Sequence, residues 1–383
     1  MKTLKIKSLV AALLPWFAAN ARDLPWRRTH DPYAIWVSEI MLQQTQVKTV
    51  IPYWNRWMRE LPTIAAVASA NPDKIHKLWE GLGYYTRVRN LQKAAQIIVE
   101  KHGGKFPENF DDVLALPGIG RYTAGAICSI AFNQPTPILD GNVIRVLARV
   151  FGIAENPKEK PTNARLWQLA EELVFHAKAQ ITQRKNVPAF AVSAALRENV
   201  SCSFLNQSLM ELGALVCTPR NPHCLVCPAQ KLCVAFKEQR TEELPNLGKR
   251  QVASARRFVA FVIEIDGRFL VRQRPGGDVN AHLWEFPNIE VGARLCEPQE
   301  LFAEFNALRV LDPRSVKLKP LCTVKHSITR YRITLEAFTV SLAKPPGKTA
   351  GAWKTPAQMQ HLAFASAHKK LASAAVKSIL SGR

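Results

Sequence analysis

Four closely spaced cysteines are the clearest indication of chemistry in this sequence. The segment CTPRNPHCLVCPAQKLC contains Cys217, Cys224, Cys227 and Cys233 in the pattern C-x6-C-x2-C-x5-C. Structural zinc sites usually use two close cysteine pairs, and only one such pair is present here. Disulfides would imply export, and the other four of the chain's eight cysteines are scattered. The spacing therefore predicts a metal site, and an iron–sulfur cluster and zinc both remain open.

Two carboxylates have settings that suit cleavage of a glycosidic bond. Glu39, in SEIMLQQTQV, lies beside the apolar stripe of a predicted helix, where partial desolvation would raise its pKa. Asp140, in ILDGNVIRVL, directly precedes another predicted helix. Such cleavage needs an acid for the leaving group and an anion for the oxocarbenium-like centre. On spacing alone, an ordinary glutamate at the edge of the stripe is the favoured explanation of Glu39, and an N-cap is a sufficient reason for Asp140.

A glycine-rich turn lies between these two carboxylates in the chain. LPGIGRYTAGAI has the form of a helix end, a tight turn and a helix start, with Gly118 and Gly120 in the turn. Glycines there let backbone N–H groups and a helix N-terminus approach an anion, such as a nucleic-acid phosphate. An ordinary helix–helix turn is the alternative.

The elements that must position these residues fall into two predicted domains. Residues 1–235 follow a helical pattern, which predicts a mostly α domain. Residues 236–256 are polar and are predicted to be a linker, and an α+β domain follows at 257–383. RFVAFVIEI-DG-RFLVRQR predicts a hairpin turning at Asp266–Gly267, and CTVKHSITRYRITLEAFTV predicts a second strand pair.

Charge indicates the class of partner. The 383 residues include 52 Lys+Arg and 30 Asp+Glu, a net charge of +22, which favours nucleic acid first and an anionic membrane second. No stretch of the sequence reaches 18 consecutive apolar residues, so no membrane-spanning helix is predicted. The first 20 residues are similar to a secretory signal, but Leu9, Leu13, Trp16 and Phe17 repeat at helical spacing and favour a first helix.

Taken together, these motifs resemble the helix–hairpin–helix DNA glycosylase superfamily, and most closely its MutY-type adenine DNA glycosylases. The motifs that carry the resemblance are LPWR, SEIMLQQTQV, GLGYYTRVRNL, LPGIGRYTAGAI, PILDGNVIRVLARV and the cysteine segment 217–233. The second domain, with LWEFP at 283–287, resembles the Nudix-like domain with which such enzymes recognise 8-oxoguanine. It lacks the hydrolase box G-x5-E-x7-R-E-x2-E-E, so we expect it to read a lesion and not to hydrolyse a nucleotide.

The resemblance implies catalytic roles for four residues. Glu39 would protonate adenine N7, Asp140 would stabilise the positive charge on the deoxyribose, Tyr122 would align that intermediate, and Asn142 would support the site. The endonuclease III-like lyases carry a catalytic lysine where this chain has Tyr122. Without that amine no Schiff base forms, and a monofunctional glycosylase is expected.

The resemblance also implies a cofactor and DNA contacts. The four clustered cysteines match the ligands of a 4Fe–4S cluster. Gln44 and Tyr84 match residues that probe or wedge the duplex near the lesion, and such wedges offset the energy of unstacking. Arg27 in LPWR, together with the backbone of Gly118 and Gly120, is also assigned to DNA binding.

Two stretches depart from the family pattern. Where the family uses Phe-Ser-His to contact 8-oxoguanine, alignment on His326 places Ile328, Thr329 and Arg330. Thr329 could donate a hydrogen bond there, and Arg330 could contact a base edge or a phosphate. The segment 184–203 is an apparent insertion that we expect to loop out.

The sequence therefore predicts a monomeric enzyme of the bacterial cytoplasm that associates with the nucleoid and does not bind membranes. Its expected reaction is hydrolytic removal of flipped-out adenine from A:8-oxoguanine or A:G mispairs in double-stranded DNA. The alternatives are an endonuclease III-like pyrimidine glycosylase/lyase and a non-catalytic iron–sulfur DNA-binding protein.

Overall fold

The computed structural model describes residues 2–184, 201–248, 252–291, 318–328, 330–341 and 351–381. The chain forms two compact units: the first comprises Met1–Ser69 and Arg89–Arg250, and the second comprises Ala70–Val88 and Gln251–Arg383. The short segment 70–88 therefore belongs to the same unit as the C-terminal part of the chain.

The N-terminal 240 residues are helical in the described ranges. The helices are α1 (Lys2–Asn20), α2 (Pro32–Leu42), α3 (Val47–Glu60), α4 (Ile64–Ser69), α5 (Pro72–Trp79), α6 (Thr86–His102), α7 (Phe110–Leu114), α8 (Arg121–Phe132), α9 (Gly141–Phe151), α10 (Lys160–Arg184), α11 (Ser201–Leu215) and α12 (Val234–Lys237). Short 3-10 turns form at Pro25–Arg27, Cys224–Val226 and Gln230–Leu232. Of the predicted insertion 184–203, residues 185–200 lie outside the described residues.

The core of the first unit forms where α1, α9, α10 and α11 pack together. Leu9 and Leu13 of α1 are fully buried, as is Val146 of α9. Because these side chains repeat every three or four residues, they lie on one helix face and leave water together. The predicted first helix is thus confirmed, and none of the described helices is long and apolar enough to cross a membrane.

The second unit contains a mixed sheet. Its strands are β1 (Ser254–Ile265), β2 (Arg268–Gln273), β3 (Trp284–Glu285), β4 (Asn288–Val291), β5 (Leu318–Ile328), β6 (Tyr331–Ser341) and β7 (Ala352–Lys354). The sheet order is β3-β2-β1-β6-β5, with β4 paired to β1 and β7 paired to β2. Helices α13 (Pro356–Gln360) and α14 (Ser366–Ser381) follow, and α14 packs on the sheet.

Local turn chemistry accounts for the first predicted hairpin, which is confirmed. Ile265 pairs with Arg268, and the two residues between them, Asp266 and Gly267, both have positive φ, at 48° and 74°. This is the backbone that a two-residue turn of the right twist requires. The second predicted pair is also confirmed, as antiparallel β5 and β6. In contrast, β1 and β6 pair in parallel over their whole length, which no local pattern predicted.

Secondary structure extends into both ends of the predicted linker. Phe236 and Lys237 belong to α12, and Ser254–Arg256 belong to β1. Residues 249–251 lie outside the described residues.

Candidate active site

Glu39 lies on α2 and is buried, with 6% of its surface exposed. The Tyr122 hydroxyl donates a hydrogen bond of 2.9 Å to its Oε2. Burial raises the pKa of Glu39 to about 7, and the nearby charge of Asp140 adds to this, while the Tyr122 hydrogen bond and Arg27 oppose it. The desolvation predicted from helical spacing is confirmed, and Glu39 can hold or release a proton near neutral pH.

Tyr122 joins the glycine turn to this carboxylate. It is the second residue of α8, and its hydroxyl lies 3.3 Å from Sδ of Met210 as well as within hydrogen-bond distance of Glu39. Burial, followed by the charges of Glu39 and Asp140, raises the pKa of Tyr122 well above its ordinary value. The phenol therefore stays protonated and can only donate to the carboxylate.

The turn that places α8 depends on glycine at one position. Gly118 has φ of 78°, and a Cβ there would lie 2.7 Å from Cβ of Asn90, so a side chain would be both strained and in collision. Gly120 is the extended residue that precedes α8. The first N–H groups of α8 have no acceptor within the helix and form the predicted place for an anion.

Asp140 caps the N-terminus of α9 and lies close enough to Glu39 for its charge to act on that carboxyl. Its Oδ1 accepts 2.8 Å from the backbone N–H of Val143, and its Oδ2 accepts 2.9 Å from the Asn142 side-chain amide. Burial raises the pKa of Asp140, and these hydrogen bonds oppose the rise. Because the charge of Asp140 acts on Glu39, the cap and the predicted second carboxylate are the same group.

Asn142 is itself held from two sides. Its Oδ1 accepts 2.8 Å from Nη2 of Arg145, which also donates to the carbonyl oxygen of Gly213 at 2.7 Å. A Cβ on Gly213 would lie 2.6 Å from Cβ of Asn142, so the glycine lets α11 approach α9 closely. The Arg145 Nε donates 2.7 Å to the carbonyl oxygen of Cys217.

Arg149, one turn after Arg145 on α9, binds the cysteine segment more extensively. Only 2% of its surface is exposed. It donates to the carbonyl oxygens of Thr218 and Leu244 at 2.7 and 2.8 Å, and its Nη1 lies 3.4 Å from Sγ of Cys217. One helix therefore presents Asp140 at its N-terminus and fixes the cysteine segment with its side chains.

The four predicted metal ligands, Cys217, Cys224, Cys227 and Cys233, line one cavity. The rest of its wall is formed by the apolar side chains of Val146, Val150, Leu212, Val216 and Phe236 and by the polar residues Arg149, Gln230 and Thr241. All cysteines in the described part of the chain are free thiols. No three histidine, cysteine or carboxylate groups among those residues converge on a point that could hold one metal ion. Four thiols around a cavity fit a polynuclear cluster better than a single zinc ion.

Burial raises the pKa of the Cys227 thiol to about 12, and the neighbouring thiols add to the rise. Such a group of thiols ionises together only when a cationic centre offsets the mutual repulsion. Arg149, beside Cys217, is the donor that an anionic thiolate cluster requires. The residues present therefore fit the group that the resemblance implies.

The predicted duplex contacts share an unusual backbone. Gln44, between α2 and α3, has φ of 55°, and Tyr84, between α5 and α6, has φ of 48°. Residues with a left-handed backbone are usually Gly, Asn or Asp, and less often His. Among the described residues with positive φ, the exceptions are Gln44, Tyr84 and Gln239. Strained backbone of this kind concentrates at functional sites. The Tyr84 side chain is 42% exposed.

Two further predicted DNA contacts have partners within the protein. The guanidinium of Arg27 donates to Glu211 at 3.0 and 3.1 Å, beside Arg22, and it is not free for a phosphate in this arrangement. Arg330 is exposed, and its guanidinium lies 5.3 Å from the centre of the Tyr331 ring. Thr329 lies outside the described residues.

Sequence reasoning missed Arg145, Arg149, Met210 and Glu211. The first two had a usable signal, because NVIRVLARV places two arginines four residues apart within an otherwise apolar helix. A charge on a buried face needs partners, and here the partners are backbone carbonyls. Glu211, in the apolar helix α11, gave the same signal, and its partners are Arg22 and Arg27.

Comparison with known proteins gives two family matches. Residues 37–172 match the family described as HhH-GPD superfamily base excision DNA repair protein. Residues 258–374 match the family described as NUDIX domain. A solved thermostable thymine-DNA glycosylase superposes with a TM-score of 0.51 at 28% identity, covering 61% of this chain and 97% of that one.

Relatives that cover both halves are adenine DNA glycosylases. That of Mus musculus is 34% identical over 94% of this chain and 76% of its own length. That of Homo sapiens is 33% identical, with 96% and 74% covered. That of Buchnera aphidicola from Schizaphis graminum is 37% identical, with 74% and 76% covered.

Proposed function

The chain belongs to the adenine DNA glycosylase family, and from that premise we propose that it hydrolyses the glycosidic bond of adenine mispaired with 8-oxoguanine or guanine. The predicted family and the predicted fold classes are confirmed: a helical helix–hairpin–helix glycosylase fold is followed by a Nudix domain. The protein is a base-excision repair glycosylase that acts on adenine in DNA. The mispair and the course of the reaction are the parts proposed.

The observation that carries the proposal is the contact of Tyr122 with Glu39, with Asp140 close enough to influence the acid's pKa. In the proposed reaction adenine leaves the base stack, and Glu39 gives its proton to N7, so that the base departs as a neutral group. Asp140 stabilises the positive charge that develops on the deoxyribose. Water then attacks C1′ and gives its proton to the Glu39 carboxylate, which restores the acid. The products are free adenine and an abasic site.

Tyr122 supports a monofunctional course. A lyase needs a neutral amine that attacks C1′, but position 122 offers a phenol that is held protonated. Among the described residues, the recorded hydrogen-bond donors to Glu39 and Asp140 are Tyr122, Asn142 and Val143, with no lysine among them. We therefore expect the DNA strand to stay intact after base removal.

The second unit is the proposed reader of 8-oxoguanine. Of the residues aligned with the family's Phe-Ser-His, Ile328 ends β5 and Arg330 directly precedes β6, which begins at Tyr331. Arg330 is exposed and offers a guanidinium to a base edge or a phosphate. Because these residues differ from the family's, selectivity for 8-oxoguanine over guanine is the property to measure first.

A 4Fe–4S cluster held by Cys217, Cys224, Cys227 and Cys233 is the proposed cofactor. When bound, it supplies four metal–thiolate bonds that crosslink the loop. The cavity that would hold it is lined by Val146, Arg149 and Val150, towards the end of α9 away from Asp140, so we assign the cluster a structural role. Ligation by thiolates requires a reducing compartment, which is the reason for proposing the cytoplasm.

The test is an excision assay on duplexes containing A:8-oxoguanine, A:G or an oxidised pyrimidine, with and without alkali. We expect breaks at adenine only after alkali, faster with 8-oxoguanine opposite. Glu39→Gln should abolish them, whereas Glu60→Gln, at an exposed position, should not.

Direct nicking at the pyrimidine would instead identify a lyase. Binding of every duplex with no base release would identify a non-catalytic DNA-binding protein. Either result would exclude the proposed reaction.

A further inference from the structure

Glu80 is a buried carboxylate that neither the reaction nor the cluster uses. It directly follows α5 in segment 70–88, and 7% of its surface is exposed. A buried carboxylate is costly unless donors satisfy it, so its partners show what the fold requires of it.

All the recorded partners of Glu80 lie within the second unit. Its Oε2 accepts from Nζ of Lys369, on α14, at 2.6 Å, and from Nζ of Lys77 at 2.9 Å. Its Oε1 accepts from the backbone N–H of Phe364 at 3.0 Å, and Lys77 also donates 3.0 Å to the carbonyl oxygen of Leu362. Burial alone would raise the pKa of Glu80, but these hydrogen bonds outweigh burial and lower it. The group is thus a permanent anion that joins α5 to the segment 362–369.

The loop that follows Glu80 is held rigidly as far as Tyr84. Nη2 of Arg87 donates to the carbonyl oxygens of Leu82 and Gly83 at 3.0 and 3.1 Å. The same guanidinium lies 5.4 Å from the Trp79 ring and 5.5 Å from the Tyr84 ring. Trp79 Nε1 donates a further hydrogen bond to the Gly83 carbonyl oxygen, at 3.1 Å.

This rigidity has a mechanical consequence. Tyr84 keeps a left-handed backbone that an aromatic residue rarely adopts, so the surrounding contacts must stabilise it. Only three residues separate it from Glu80. Arg87 and Trp79 bind the carbonyl oxygens of Leu82 and Gly83, and the N–H of Gly81 donates to the Tyr85 hydroxyl. A displacement of Glu80 therefore moves Tyr84, because no flexible segment between them can absorb it.

We propose that Glu80 is a positioning residue through which segment 362–369 of the Nudix-containing unit sets the place of Tyr84 in the duplex, and so controls adenine flipping. This inference rests on the proposed function and on the role that the resemblance implies for Tyr84, that of a wedge in the duplex near the lesion. Segment 70–88 lies in sequence between two stretches of the first unit, at Ser69 and Arg89, and so links the two units through the chain. Binding of 8-oxoguanine by the second unit would thereby favour extrusion of the opposite adenine.

Neighbouring lysines provide a matched test. Lys369 contacts Glu80 and is 55% exposed, so Lys369→Met removes one donor without opening the core. Lys370→Met removes the same charge one residue away, at an exposed position with no recorded hydrogen bond to Glu80. Lys369→Arg keeps the charge and the donor. Glu80→Gln keeps the shape but removes the anion.

The readouts are the fluorescence of 2-aminopurine placed at the target adenine, which rises when the base leaves the stack, and the single-turnover excision rate of adenine. Lys369→Met and Glu80→Gln should each lower the flipping amplitude and the rate by about tenfold, a typical coupling between sites. The double variant should be no worse than either single one, since both break the same contact. Lys370→Met and Lys369→Arg should behave as the wild type.

The inference is overturned if Lys369→Met flips and excises adenine as Lys370→Met does, even where its Tm falls, because Glu80 would then only stabilise the fold. It is also overturned if the double variant shows the product of two independent losses. A wild-type protein that releases no adenine from any duplex contradicts the proposed function itself, and the two failures are thereby distinguished.

Discussion

At the scale of single residues, the burial that raises the pKa of Glu39 also means that its ionised form destabilises the folded protein. Its pKa is raised from 4.5 to about 7 chiefly because the buried site disfavours the ionised form. A group whose pKa is raised in the folded state stabilises the protein at low pH, and that stability is lost as the pH rises through the folded value. Activity and stability therefore depend on the same desolvation.

The rate prediction follows from the protonation state. Single-turnover excision by the wild type should fall as the pH rises through about 7, since Glu39 must carry the proton. Glu39→Gln should lower the rate by about a hundredfold or more at every pH and abolish that dependence, as loss of a general acid does. A pH–rate profile of both proteins on an A:8-oxoguanine duplex checks this. An unchanged profile in Glu39→Gln would assign the acid to another group.

The stability prediction has the same direction as the rate prediction, because the free energy of unfolding also falls as the pH rises. Between pH 5 and pH 8.5 the free energy of unfolding of the wild type should fall by about 2 kcal/mol relative to that of Glu39→Gln. Glutamine can still accept the hydrogen bond from Tyr122, so the comparison isolates the charge. Urea unfolding at both pH values measures the difference, with Glu60→Gln as the exposed control. If the free energies of unfolding of the wild type and Glu39→Gln changed equally between the two pH values, the pKa of Glu39 would not be raised in the folded protein.

Only part of this site could be predicted from single residues. Helical spacing placed Glu39 beside an apolar stripe, and its burial in the structure confirms that setting. That Glu39 and Asp140 come together could not be derived, because nothing local links α2 to the start of α9. The resemblance supplied that expectation. Arg145 and Glu80 were not predicted, since each depends on carbonyls or amines far away in the chain.

At the scale of elements, α9 is the helix on which the site depends most. Its N-terminus is capped by Asp140, and its side chains Arg145 and Arg149 hold the cysteine segment. The cap needs Asp140 in a fixed rotamer, and Asn142 and Val143 secure it. A change at the cysteine end of the helix therefore acts on an element that also orients the carboxylate of Asp140.

Arg149→Met tests this arrangement. The variant leaves the carbonyls of Thr218 and Leu244 buried without their donor, which we expect to destabilise the fold by about 3 kcal/mol. The loop should also release the proposed 4Fe–4S cluster faster, measured as loss of visible absorbance in the presence of a chelator. Arg165→Met removes an exposed arginine and is the control. Equal rates of cluster loss in the two variants would refute the role of Arg149.

Elements were predicted where the pattern is local and missed where it is not. The hairpin at Asp266–Gly267 follows from two residues that tolerate positive φ. The parallel pairing of β1 with β6 joins strands separated by more than sixty residues, and no turn fixes its register. Likewise, segment 70–88 belongs to the second unit, and its Glu80 contacts Phe364 and Lys369, which lie 284 and 289 positions later in the chain.

At the scale of the whole molecule, the charge of +22 should dominate its affinity for DNA. Each phosphate that the protein neutralises releases condensed counterions, so the logarithm of affinity falls by about 0.9 per contact for each unit of log salt. We expect a steep salt dependence with nearly the same slope for mispaired and undamaged duplexes. Fluorescence anisotropy across a salt series measures it. A shallow slope for undamaged DNA would show that the surplus charge lies away from the DNA-binding surface.

Gly213 has a consequence for anyone who engineers or interprets variants of this protein. By helix propensity alone, alanine within α11 would be favoured by up to about 1 kcal/mol, and Gly213→Ala would rank as a benign or improving change. Its methyl group would instead press to 2.6 Å from Cβ of Asn142, the residue that steadies Asp140. A screen that selects for heat resistance could therefore retain a variant whose repair activity is impaired. At this position a conservative substitution is not a sign that the variant is functional.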